Sequence, residues 1–201
     1  MTLNLALEQA QQIGIKHPGR IESQTLIASW CKAVQQIEDR STLATARQLA
    51  QRGKVESLEA AISKASKIAV GQPLHPDAQT EIAQWNKQIE IIEDRPILAL
   101  ARAFARKGDL NAAVQTASKI SHGRALSSEA QVAIDRWVTK SEIAQDQLLI
   151  DAANALAAQG RFSLAILTAS QVLRGRALYD QAQAAIARWQ AELSPPRKSS
   201  P

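Results

Sequence analysis

Side chains with reactive chemistry are few in this 201-residue chain, and their spacing decides what each can do. Histidine occurs at His17, His75 and His122, in segments that read as turns between helices but at unmatched offsets. No cysteine pair or acidic cluster stands beside them at metal-ligand spacing, so they read as surface turn residues. The single cysteine, Cys31, follows Trp30 on a helical pattern. A nucleophilic thiolate needs a neighbouring base, and none is in view, so Cys31 reads as a partly buried, inert thiol. One cysteine excludes an internal disulfide and favours a reducing compartment. Glu38-Asp39-Arg40 and Glu93-Asp94-Arg95 recur in register. Paired acids can exchange protons, but at a junction before a helix they offset the helix dipole, so they read as caps. No catalytic, cofactor-binding or metal-ligating residue is assigned, and the chain reads as not an enzyme.

A basic stripe comes closest to a binding chemistry. Arg40 and Arg47 stand seven residues apart on one helix face, and Arg95 and Arg102 occupy the same positions one unit later. Arg52 and Lys107 are equivalent to each other, whereas the third copy reads Gln147, Asn154 and Gln159. The apolar positions persist in all three copies, and packing places no demand on a solvent-facing arginine. Arg40, Arg47, Arg95 and Arg102 are therefore the candidate partner-binding residues, for an acidic partner. The alternative is a solvated face tied by salt bridges to Glu38, Asp39, Glu93 or Asp94. The tryptophans could stack on bases or sugars, but they lie on apolar seams and read as core. With them buried, the exposed aromatics that single-strand binders interleave with basic residues are scarce.

The elements that position these residues form a repeat. Ile-x-x-Trp occurs at Ile27/Trp30, Ile82/Trp85, Ile134/Trp137 and Ile186/Trp189, with tryptophan intervals of 55, 52 and 52. Ala10/Ile13, Ala65/Ile68, Ala117/Ile120 and Ala169/Val172 keep the same step. Each unit reads as three helical segments. The first carries the tryptophan on a 4-3-4-3 seam, as in Ala78, Ile82, Trp85, Ile89 and Ile92. The second runs Leu98, Ala101, Phe104, Ala105 to Gly108. The third follows the glycine at once, as Leu110, Ala113, Val114, Ala117 and Ile120. Gly53, Gly108 and Gly160 fit the left-handed residue that ends a helix before a tight turn, and Gly71, Gly123 and Gly175 fit the far end of the hairpin. The three extra residues of the first interval fall in Lys54–Ser63, which adds nearly one helical turn to the third segment. Ala46, Ala101 and Ala153 are small where two helices must approach closely. Pro96 opens the second segment in one unit, but Asp146–Leu149 holds no breaker, so the first two segments could fuse there.

The second and third segments together resemble a tetratricopeptide hairpin. Ala101, Phe104, Ala105, Gly108, Asp109, Ala113, Val114 and Ala117 sit where that motif has its small, large and turn residues, over about 27 of 52 residues per unit. That family repeats about every 34 residues, whereas here a Trp-bearing helix is interposed, so none of its peptide-binding residues is carried over. The pattern ending in Gly175-Arg176-Ala177-Leu178-Tyr179 also resembles cyanobacterial helical-repeat proteins, some labelled as resembling chromosome-segregation ATPases. The Gly-x-x-x-x-Gly-Lys-Ser/Thr loop such an activity needs is absent from the sequence.

The expected architecture is all-α: an α-solenoid of tetratricopeptide-like hairpins with an extra Trp-bearing helix per unit, about eleven helices in all. A single helical-repeat domain spans 1–193, with a partial unit 1–40 and units at about 41–95, 96–147 and 148–193. Residues 194–201 read as a disordered tail. Opening inside a unit leaves the first hairpin without its partner helix, so the chain is a fragment or self-associates there. Net charge of +5 arises from 24 bases against 19 acids, with 3% aromatics. That balance permits an acidic protein partner and, less favourably, nucleic acid. There is neither a leader pattern nor an 18-residue apolar run, so a cytoplasmic location without a membrane span is expected. The reading is a non-enzymatic protein-interaction or assembly scaffold without a cofactor, the alternative a basic nucleic-acid-associated protein.

Overall fold

A computed structural model of the chain describes residues 3–13 and 18–194. His17 and the expected tail from residue 195 onward lie outside the described residues. Those described form eight α-helices and no strand. They are α1 (Leu3–Gln11), α2 (Arg20–Ala50), α3 (Val55–Ala65), α4 (His75–Arg106), α5 (Leu110–Ala117), α6 (Ser127–Ala158), α7 (Phe162–Ala169) and α8 (Tyr179–Leu193).

The count of eleven is corrected to eight because the first two segments of a unit fuse everywhere, not only where no breaker stands. α2, α4 and α6 are single helices of 31, 32 and 32 residues, roughly 48 Å at about 1.5 Å per residue. Pro96 lies inside α4. An interior proline costs about 3 kcal/mol, and burial of Trp85 before it and of Leu98 and Ala101 after it outweighs that cost. The junction acids are corrected with it. Asp39 and Asp94 sit in mid-helix, each 3% exposed, and cap nothing; Asp146, fully buried, holds the equivalent place in α6.

The chain divides into two compact units, residues 1–93 and 94–201. In the first, Trp85 packs with Ala46 of α2 and with Ala61 and Ala65 of α3, all three alanines fully buried, beside Leu43, Leu58 and Ile68. The second unit builds this core twice. Trp137 packs with Ala101, Ala113 and Ala117, and Trp189 with Ala153, Ala165 and Ala169. A second apolar layer repeats as Leu98, Ile120 and Ala130, then Ile150, Val172 and Ala182. An alanine has no side chain beyond Cβ, so three of them in register leave a flat recess for an indole. Trp30 is half-buried and belongs to none of these clusters. The seam also ends early, because Ile37 and Ile92 are exposed.

The turns follow from backbone chemistry. Gly108 and Gly160 have φ of 87° and 75°, where an L side chain is strained. Around them the amides of Asp109 and Arg161 reach back to the carbonyls of Phe104 and Leu156, and the glycine amides to Ala105 and Ala157, closing the last turn as in a Schellman motif. Asp109 then caps α5 by accepting from the Ala112 amide at 2.9 Å. The extra residues of the first interval lengthen α3 to 11 residues, against 8 in α5 and α7.

Candidate binding groove

Within residues 94–201, the end of α4, the start of α5 and one face of α6 enclose an open groove of about 870 Å³, within the ordinary range for a ligand site. Its floor is apolar: Ala105, Leu110, Val132, Ala133 and the edge of Trp137. Arg102 and Arg106 stand on one wall and Arg136 and Lys140 on the other, all four exposed. Helical periodicity explains the grouping. Val132, Arg136 and Lys140 are four residues apart, as are Arg102 and Arg106, so each set lines one helix face. Glu129 is the acid of the groove, and it is ion-paired to Arg102. The net of four cations and one acid is positive, over a mostly apolar floor.

The same positions in the neighbouring copies carry the opposite sign. Around Trp85 they read Arg47, Gln51, Pro76, Asp77, Glu81, Gln84 and Gln88, which is one cation and two acids. Around Trp189 they read Asn154, Ala158, Asp180, Gln181, Ala185, Arg188 and Glu192, again one cation and two acids. In the first unit, moreover, Glu81 replaces the floor alanine Ala133, and it holds Arg47 at 2.8 Å.

The four arginines of the sequence stripe therefore divide. Arg102 lines the groove, paired to Glu129; Arg47 is paired to Glu81 in the other unit. Arg40 and Arg95 are exposed, with no ion pair among the described residues. None of the four is tied to Glu38, Asp39, Glu93 or Asp94. Arg106, Arg136 and Lys140 were missed by the stripe, which followed arginines at identical positions. The signal was the opposite one, a cation where the preceding copy has glutamine.

The aspartates of the junction runs hold a different chemistry. Arg124, in the turn after α5, grips Asp94 with Nε at 3.0 and 2.8 Å from its two oxygens. Arg176, in the turn after α7, places Nη1 3.1 Å from Asp146 Oδ1. Its direction is off a hydrogen bond, so both Asp146 oxygens and Arg176 Nε make none, although Arg176 Nη2 reaches Glu142 O and Gln145 Oε1. Both arginines follow their aspartate by 30 residues and follow a glycine directly. In the first unit that place, past the three extra residues of α3, is Gln72, whose side-chain oxygen accepts from the Ala69 amide. Among the described residues Asp39 accepts from Gln35 Nε2 at 3.1 Å, and its Oδ2 is buried without a partner.

The remaining reactive side chains assemble nothing. Cys31 is exposed, correcting its expected partial burial. His75 Nδ1 lies 2.8 Å from the Ile68 carbonyl, tying the turn before α4, and His122 is exposed. Among the described residues no three His, Cys, Asp or Glu side chains converge, and no helix is long and apolar enough to cross a membrane. Searches against protein-family models, curated proteins and solved structures find no match to this chain.

Proposed function

We propose that this chain is a non-enzymatic protein-interaction or assembly scaffold, an α-solenoid of tetratricopeptide-like hairpins each followed by a Trp-bearing helix, working in the cytoplasm. The observation that carries the reading is the groove beside Trp137. It joins an apolar floor to a charged rim on rigid helices, the arrangement interfaces use for an anchored, oriented partner. The repeated alanine–tryptophan cores support the tetratricopeptide-like reading of the hairpins. Arg40, Arg47, Arg95 and Arg102 are proposed as partner contacts, Arg102 from within the groove. Exposed cations also suit nucleic acid, but a phosphate backbone needs no apolar floor, and the aromatic beside the groove, Trp137, is 8% exposed. The test is capture by the immobilised full chain from an extract of its own cells, with cross-linking and mass spectrometry, before and after nuclease. Protein capture that survives nuclease is expected. Capture that vanishes with nuclease would move the reading to nucleic acid, and an empty capture would remove the scaffold.

A further inference from the structure

We infer that the groove beside Trp137 takes an acidic peptide segment bearing apolar anchor residues, with its carboxylates on Arg106, Arg136 and Lys140 and its apolar side chains on Val132, Ala133 and Ala105. The inference rests on the scaffold reading and adds to it the chemistry of the partner. Three features single out this occupant. The groove has a net positive rim, while the equivalent positions around Trp85 and Trp189 are net negative on the same alanine–tryptophan frame. Packing therefore does not select the charges, because the frame is built with either sign. Arg106, Arg136 and Lys140 stand where the first unit has Gln51, Gln84 and Gln88, so glutamine is compatible with the fold and the cations answer to something outside it. No acid lining the groove other than Glu129 meets them, and Glu129 is engaged by Arg102.

The apolar floor gives the second half of the ligand. Val132 is 70% exposed at the groove while Trp137 closes its base at 8%. Water over such a surface is displaced favourably by an apolar side chain, and a purely anionic ligand would leave that gain unused. From Glu129 to Lys140 the α6 wall runs about 16 Å at about 1.5 Å per residue, enough for about three turns of a docked helix. Helix-in-groove recognition matches that length, with apolar anchors spaced three and four apart and acids flanking them.

The experiment uses the full chain and a short fluorescein-labelled peptide in which leucines at helical spacing are set among glutamates, read by fluorescence anisotropy. Saturable binding is expected, falling at least about ten-fold for the triple variant Arg106→Gln, Arg136→Gln, Lys140→Gln, and weakening as salt screens the charges. A comparable loss is expected when the peptide's leucines become serine, and when Ala133→Glu gives the floor the acid that Glu81 supplies in the first unit. Circular dichroism accompanies both variants, and Ala133→Glu serves as the reading should the triple variant lose its helix signal. Unchanged binding by a folded variant overturns the inference, as does equal binding of the serine peptide. Tighter binding of a poly-dT oligonucleotide, lost on the same variants, overturns it in favour of nucleic acid. A chain that ignores the peptide yet still captures proteins from extract refutes the acidic-segment inference alone, whereas a chain that captures nothing removes the scaffold reading beneath it.

Discussion

Residues 1–93 and 94–201 set an indole on three buried alanines in the same way, and apart from the shared Arg47 and Arg102 they differ at most of the polar positions around it. Trp85 and Trp137 are 5% and 8% exposed, each over a triplet of alanines at 0%. Beside Trp85 the groove positions are net negative and floored by Glu81; beside Trp137 they are net positive and floored by Ala133. Below, Asp94 is gripped by Arg124, whereas Asp39 is buried with one oxygen unpartnered. The apolar frame holds the fold in both regions, and the polar positions are free to vary because the frame does not depend on them. The variation departs furthest from the frame's needs at the groove, and that departure is what the proposed binding role rests on.

The largest test of that division is the frame itself. Trp137→Ala and Trp85→Ala should each cost about 3–5 kcal/mol in denaturant unfolding, the loss of a buried aromatic plus its cavity. Trp189, 8% exposed on its own alanine triplet, should fall in the same range. Trp30→Ala should cost clearly less, since Trp30 is half-buried and outside those clusters. Equal losses at Trp30 and Trp137 would mean that the alanine recess is not what holds the indole.

Much of the frame was legible, and the reasons are physical. Tryptophan intervals marked where the alanine–tryptophan cores stand, because each indole packs on alanines at a set distance along the chain. The glycines were legible because positive φ disfavours other residues, and the three extra residues were placed in the helix that they lengthen. Helix ends within each unit were misread. Pro96 and the Glu-Asp-Arg runs carry local stop signals, and tertiary burial on both sides overrides them. The buried Asp94–Arg124 and Asp146–Arg176 pairs went unseen because their partners lie 30 residues apart, a spacing that no helical or strand period marks. The groove was half-legible: Arg102 lay in the stripe, while Arg106, Arg136 and Lys140 are marked by a difference between copies, standing where the first unit has Gln51, Gln84 and Gln88.

The second test concerns those buried pairs. Arg124→Leu leaves Asp94, 3% exposed, without its cation, and breaking a buried pair from one side costs about 3 kcal/mol. Thermal or denaturant unfolding reads the loss. Gln72 occupies the same place in the first unit and grips no aspartate, so Gln72→Leu should cost much less. Similar losses at the two positions would show that the arginine serves the turn and not the carboxylate.

A smaller effect checks the turns. Gly108→Ala should cost about 1 kcal/mol, because φ of 87° strains an L residue while nothing lies within 4 Å of where the Cβ would sit. A much larger loss by denaturant titration would point to a contact that the open turn does not have.

The sharpest contrast has the smallest magnitude, because it turns on sign. Asp39 and Asp94 are equally buried at 3%, and both occupy mid-helix positions one unit apart. Changing each to asparagine removes one negative charge with almost no change of volume. At Asp94 the charge is matched by Arg124, so Asp94→Asn removes the carboxylate that the guanidinium grips at 2.8 Å and destabilises the fold. At Asp39 no cation faces the carboxylate among the described residues, and the Gln35 amide alone offsets its desolvation, with Oδ2 unpartnered. Asparagine retains an oxygen that can accept from Gln35 Nε2, and its amide nitrogen needs less solvation than a carboxylate oxygen. Asp39→Asn should therefore stabilise the chain by up to about 1 kcal/mol, a small effect because the two forms keep the same hydrogen bond. Urea unfolding of the two variants side by side reads the difference. Destabilisation at both positions would show that Asp39 is compensated after all, and the two regions would then share their polar design as well as their frame.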